Sequence, residues 1–428
     1  MLPAANNRLV KNTSYKVVLP FYIYAALAFL LGCILLFTAS GAFTQHYFHP
    51  KILAITHTMA LGWGTMMILG AGHQLLPVLI EEQLFSNVLA YLSFVFAAAG
   101  IPLLIYAFYT FNMHWPAEVG GTLVNAGVLC YLVNLAIGMS KSKQENVHAV
   151  FVFTATLWLL LTTAVGLFLV CNFTRSILPM SSVQYLSLHA HLGIVGWFLL
   201  MVIGVGSRLI PMFLISKFTN TKRLWSIYWL INIGLVSFII IYIYLHTIRL
   251  YLLPVIAIIA ALILFAHYCK NAYKQRIRRN VDEQMKVSLL SVWMMAMPLA
   301  ILLITIVLLI NNKENTQLVL LYGFSIFFGW ITAIIFGMTF KTLPFIVWNK
   351  VYYDKAGLGK TPNPKDLYSN RLFSAMAIAY LGGFILFSAG IVFSSGVILK
   401  SASAFLLLAA VLYNWNVFKL VLHKPNMA

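Results

Sequence analysis

Leu188-His189-Ala190-His191-Leu192-Gly193-Ile194-Val195-Gly196-Trp197, followed by Gly204 and Pro211, is the stretch whose reading decides how the chain is built. The same frame occurs at His57, Gly62-Trp63, Gly70 and Pro77, and again at Phe324, Gly329-Trp330, Gly337 and Pro344. Trp is followed by Gly and then Pro at steps of seven in every copy, and Trp63, Trp197 and Trp330 are almost evenly spaced along the chain. Identical spacing three times over points to an internal triplication. Two copies carry histidine at the equivalent position, His57 and His191, and in hydrocarbon an ionisable residue is costly enough that its repetition suggests a ligand.

The surroundings of the frame fix the class of protein. Of 428 residues, 62% are hydrophobic and 9% charged, and the mean hydropathy is +0.91. Such a chain is an all-α, polytopic membrane protein, not a soluble globule. Apolar stretches near the ~20 residues needed to cross a bilayer fall at 17–40, 51–79, 86–110, 118–139, 148–171 and 183–214. Six more fall at 225–245, 250–269, 287–311, 317–347, 371–393 and 399–421. Twelve spans divide into three groups of four, with repeat units at about 17–139, 148–269 and 287–421. No linker or low-complexity run separates them, so residues 1–428 read as one integral-membrane domain. The frame lies on the second, sixth and tenth spans, the same member of each group.

Lys and Arg set orientation because they resist translocation. Arg8, Lys11 and Lys16, the loops with Lys141 and Lys143, with Lys217, Lys222 and Arg223, with Lys270, Lys274, Arg276, Arg278 and Arg279, and with Lys350, Lys355, Lys360 and Lys365 all fall on one side. Both termini are therefore predicted to be cytoplasmic, in a bacterial inner membrane. The net charge of +19 is mostly this asymmetry and calls for no nucleic-acid partner. Residues 1–16 are polar and lead straight into a full span, so the first helix is expected to be its own insertion signal. Cys33, Cys130, Cys171 and Cys269 are scattered and read as small packing residues. The run Asp354-Lys355-Ala356-Gly357-Leu358-Gly359-Lys360 lacks the spacing of a phosphate-cradling loop and reads as a solvated loop.

Of eleven histidines, His46, His49, His114, His148, His246, His267 and His423 fall in loops or near helix ends, where a solvated imidazole is the plain reading. His57 and His191 lie roughly 9 and 12 Å inside the outer ends of their helices. A lone buried histidine is commonly satisfied by a carbonyl. Two at equivalent positions on different helices are expected to face each other across an internal pore and hold a six-coordinate haem iron. His189 and His191 point about 200° apart, which suits one ligand to each of two cofactors flanking the helix, and His189 is the expected ligand of a second haem. Its equivalents are Ile55 and Tyr322. His73 is about 24 Å deeper than His57, near the cytoplasmic face; its equivalents, Ser207 and Phe340, offer it no symmetric partner, and it completes the set of candidate metal ligands.

With these residues the chain resembles the subunit I superfamily of haem-copper oxidases, which is built from twelve helices in three pseudo-symmetric groups. The resemblance covers the whole chain in helix count and two helix motifs in sequence. It implies that His57 and His191 ligate a low-spin haem, of b type, and that His189 ligates a high-spin haem. The departures are specific. The H-x-H run is on the sixth helix here and on the tenth in that superfamily, and the seventh helix, Trp225 to Leu245, has no histidine for a copper site. Glu118 lies near a helix's outer end and Glu81 and Glu82 at an inner end, so no carboxylate is placed mid-membrane for a non-haem iron. In this the chain is similar to the haem-binding membrane proteins of the nitric-oxide-response type.

The resemblance implies a membrane haemoprotein for electron transfer, or for O₂ or NO binding or reduction, working with a redox partner or accessory subunit. Arg175, Arg249 and Lys51, near outer helix ends, are candidates to pair with haem propionates. The alternatives are a haem- or copper-handling protein, a nitrosative-stress membrane protein or a transporter, each without oxidase activity, and a purely structural subunit.

Overall fold

The computed structural model describes residues 13–80, 83–142, 146–277, 280–355 and 361–425. Arg8, Lys11, Lys143, Arg278, Arg279 and Lys360, together with Glu81 and Glu82, lie outside the described residues. The protein is an all-α integral membrane protein, and among the described residues twelve helices are long and apolar enough to span a bilayer. They are α1 (Tyr15–Thr38), α2 (Pro50–Pro77), α3 (Asn87–Thr110), α4 (Trp115–Lys141), α5 (Val147–Arg175), α6 (Ser182–Leu214), α7 (Thr221–Leu245), α8 (Ile248–Lys274), α9 (Glu283–Ile310), α10 (Thr316–Tyr352), α11 (Asn370–Val392) and α12 (Gly396–Val421). With twelve spans, the start of α1 at Tyr15 and the end of α12 at Val421 lie on one face of the bundle, called here the terminal face; the other is the distal face.

Consecutive helices pack as hairpins, and α12 packs back on α1 to close the ring. The three motif helices α2, α6 and α10 meet on the inside. Most of the apolar length of α2 and α10 is buried, whereas most of that of α8 and α9 faces outward, as lipid-facing surfaces do. The inner helices are joined by a chain of indole hydrogen bonds. Trp63 Nε1 on α2 donates to Thr332 Oγ1 on α10, and Trp197 Nε1 on α6 donates to Thr65 Oγ1 on α2, each at 3.0 Å. The position equivalent to Thr65 and Thr332 in the second repeat is Leu199, so the third link of this cycle has no acceptor.

The frame glycines admit the first helix of each group. A Cβ on Gly70 would lie 2.6 Å from Phe21 Cβ, one on Gly204 2.4 Å from Phe151 Cβ, and one on Gly337 2.1 Å from Ser288 Oγ. Small residues permit such close backbone approach where lipid offers no hydrophobic gain for helix association. Directly after His57, His191 and Phe324 the backbone widens into π-helical turns, at Thr58–Thr65, Leu192–Leu199 and Ser325–Ile331. The widening recurs at the same place in all three repeats, and such turns are frequent at functional sites.

Candidate cofactor site on the inner helices

The expected facing of His57 and His191 is corrected by the packing. His57 on α2 faces His189 on α6, with ring centres 6.3 Å apart and planes inclined by 19°. His191 faces Tyr322 on α10. In both contacts one position of the frame meets the position two residues earlier on the next motif helix, a head-to-tail arrangement. His57 and His191, at equivalent positions of the frame, thus have different partners, His189 and Tyr322. The H-x-H run does serve two sides of its helix, as the divergence of about 200° between its side chains requires. The partner of His57 is shifted by two residues along α6, from His191 to His189.

The His57–His189 pair is arranged with two nitrogens to spare. His57 Nδ1–H donates to the Leu53 carbonyl at 2.8 Å, and His189 Nδ1–H donates to the Thr162 carbonyl of α5 at 3.1 Å. A carbonyl only accepts, so each Nδ1 carries the proton and each Nε2 is left as a bare acceptor. Neither Nε2 has a hydrogen-bond partner among the described residues. This is the tautomer that metal-bound histidines adopt, with the far nitrogen held by a backbone carbonyl. Gly166 on α5 makes room for the His189 ring: a Cβ there would lie 2.8 Å from His189 Cε1. Phe108 of α3 packs on His57 at 4.3 Å between ring centres.

Both rings line a cavity of about 300 Å³ in the distal half of the bundle, at the lower end of the ~300–1,000 Å³ range of small-molecule sites. Its walls are apolar apart from hydroxyl and amide groups, among them Asn125 and Thr163, which are bonded to each other at 3.0 Å. No Lys, Arg, Asp or Glu is among the described residues that line it. Arg175, Arg249 and Lys51 stand outside it, and Arg175 is paired with Glu118 at 2.6 Å.

The two symmetry-related positions differ from this one. At the second, Tyr322 donates from its hydroxyl to His191 Nε2 at 3.2 Å while His191 Nδ1–H donates to the Ser187 carbonyl at 2.8 Å, so both His191 nitrogens are engaged. At the third, Phe324 stacks on Phe387 at 4.5 Å and on Phe328 at 5.1 Å, and Phe43 closes edge-on at 6.4 Å. The series runs from an open histidine pair, through a closed His–Tyr pair, to an apolar plug. His73 is fully buried toward the terminal face, apart from all three.

The donor set can be weighed against the metals that suit it. No group of three or more His, Cys, Asp and Glu is found among the described residues. Two imidazoles alone suit an iron whose remaining ligands come from a porphyrin. A metal–nitrogen bond of about 2 Å on each side, with roughly 1 Å from nitrogen to ring centre, asks for ~6 Å between centres. The observed 6.3 Å meets it.

Residues absent from the sequence reading are Thr162, Gly166 and Phe108. Gly166 has no motif around it, and Thr162 acts through its carbonyl, which every residue type carries. No protein-family model matches the chain, and no curated protein matches it in sequence.

Proposed function

We propose that the protein is a membrane haemoprotein in which His57 and His189 hold one six-coordinate haem for electron transfer. The observation that carries this reading is a pair of imidazoles on two inner helices whose ring centres lie 6.3 Å apart in an apolar cavity, each with its Nε2 without a hydrogen-bond partner among the described residues. Such a haem supplies one-electron redox chemistry without an open position for O₂ or NO. The chain's own contribution is positional. The Leu53 and Thr162 carbonyls hold both imidazoles in the ligating tautomer, and the apolar wall keeps water away. His191 is assigned a tie between α6 and α10 through Tyr322, and a second haem is not part of the proposal. With the basic loops on the cytoplasmic side of a bacterial inner membrane, the site lies in the outer half of the bilayer, within reach of a redox partner on the distal face.

Spectra of the purified protein as isolated, reduced with dithionite and then exposed to CO test this. Sharp low-spin bands that CO does not shift are expected, lost in His57→Ala and in His189→Ala but kept in His191→Ala and His73→Ala. A haem-free protein sinks the proposal. Bands that survive His189→Ala and vanish in His191→Ala would restore the His57–His191 pairing.

A further inference from the structure

The histidine left outside the cavity has its own unexplained chemistry. His73 Nδ1–H donates to the Leu69 carbonyl at 2.8 Å, which leaves Nε2 as a bare acceptor, fully buried and without a partner. The Tyr131 ring of α4 meets it edge-on at 4.9 Å between centres, and the Tyr131 hydroxyl is also buried and unpartnered. Ser93 Oγ on α3 is a third such atom. The Ser93 carbonyl lies 3.0 Å from where Gly127 would carry a Cβ, one turn of α4 before Tyr131. Phe21 joins the cluster, in contact with both His73 and Phe94, the neighbour of Ser93. Of the six buried side-chain polar atoms without a partner among the described residues, three therefore belong to this one group of helices.

The other repeats show what this position looks like when the protein satisfies it alone. The equivalents of Tyr131 are Tyr268 on α8 and Tyr413 on α12. Tyr268 donates to the Ser207 carbonyl at 3.1 Å, and Tyr413 to Thr339 Oγ1 at 3.1 Å. Ser207, the equivalent of His73, is met by His148 Nδ1 at 2.9 Å, and Phe340 in the third repeat has no polar atom to satisfy. Only the first repeat combines a bare imidazole acceptor with two undirected hydroxyls. Buried groups of this kind are rarely left unmade in native proteins, and an ordered water is the usual partner.

We propose that His73 and Tyr131 form a binding site for an internal water inside the first four-helix group, beside the helix face that carries Ser93. The guest must donate to His73 Nε2 and accept from a hydroxyl, and it must be neutral and small. Water meets all three demands. The site is independent of any cofactor at His57 and His189.

A double-mutant cycle with His73→Leu and Tyr131→Phe, read as thermal unfolding midpoints in nanodiscs, tests the coupling. Each single variant should lower the midpoint, and the double variant should fall no further than the worse single one, because either change dismantles the same bridge. Additive losses, or single variants as stable as the parent, overturn the proposal. A direct His73–Tyr131 bond would also couple, so a water-resolving cryo-EM map of the parent decides between them. Density within hydrogen-bond reach of both His73 Nε2 and the Tyr131 hydroxyl supports the site, and its absence overturns it whatever the cycle gives.

Discussion

Gly166→Ala probes the site without replacing a proposed ligand. The added Cβ would lie 2.8 Å from His189 Cε1, where ordinary contact begins at 3.4 Å, so the ring has to move off α5 by about 0.6 Å. The His189 Nδ1–H to Thr162 bond, now 3.1 Å, then opens to about 3.7 Å, outside hydrogen-bond reach. Loss of such a supporting bond on a metal-bound histidine weakens metal affinity by about 10–100-fold, or roughly 1.4–2.7 kcal/mol. Haem loss to an excess of apo-globin measures it directly, with thermal unfolding run alongside to show that the variant folds. Gly323→Ala is the control, since Gly323 lines the same cavity but a Cβ there meets nothing within 4 Å. A Gly166→Ala protein that keeps its haem as firmly as the parent, or a Gly323→Ala protein that loses it equally fast, refutes the assignment of His189.

Thr65→Val and Thr332→Val each strand a buried indole N–H, that of Trp197 or Trp63, at a cost of about 1–3 kcal/mol. Both should lower the unfolding midpoint and leave the haem spectrum unchanged. Among Gly70→Ala, Gly204→Ala and Gly337→Ala, the last should give the lowest yield of folded protein by size-exclusion chromatography. Its Cβ meets the Gln284 backbone carbonyl at 2.5 Å, whereas the others meet side-chain atoms of Phe21 and Phe151. Tyr322→Phe unties α6 from α10 and should lower stability by about 0.5–1.5 kcal/mol with the low-spin bands intact; their disappearance would place Tyr322 in the cofactor site.

The spans were legible because each is a long apolar run with polar ends. The reading of 17–40 against the observed Tyr15–Thr38, or 399–421 against Gly396–Val421, differs only by the few residues over which helix ends fray. The candidate site was legible in its residue types and only partly in its geometry. The offset of two between His189 and His191 already held the answer, because head-to-tail packing pairs one position with its neighbour's other position. Equivalence by itself suggested the wrong partner. The π-helical turns after His57, His191 and Phe324 had no sequence signal, since their wider hydrogen-bonding register suits the same residues as an α-helix.

By itself the sequence determined the membrane class, the twelve apolar spans, the thrice-repeated frame and that the two histidines of α6 take opposite sides of the helix. These depend on hydropathy and on helical periodicity, both local to a segment. Only the tertiary structure decided that His57 meets His189, that Tyr322 occupies His191 and that phenylalanines fill the third position. Those outcomes depend on which helix lies across each interface and on what volume remains between them, and neither quantity is a property of any one segment.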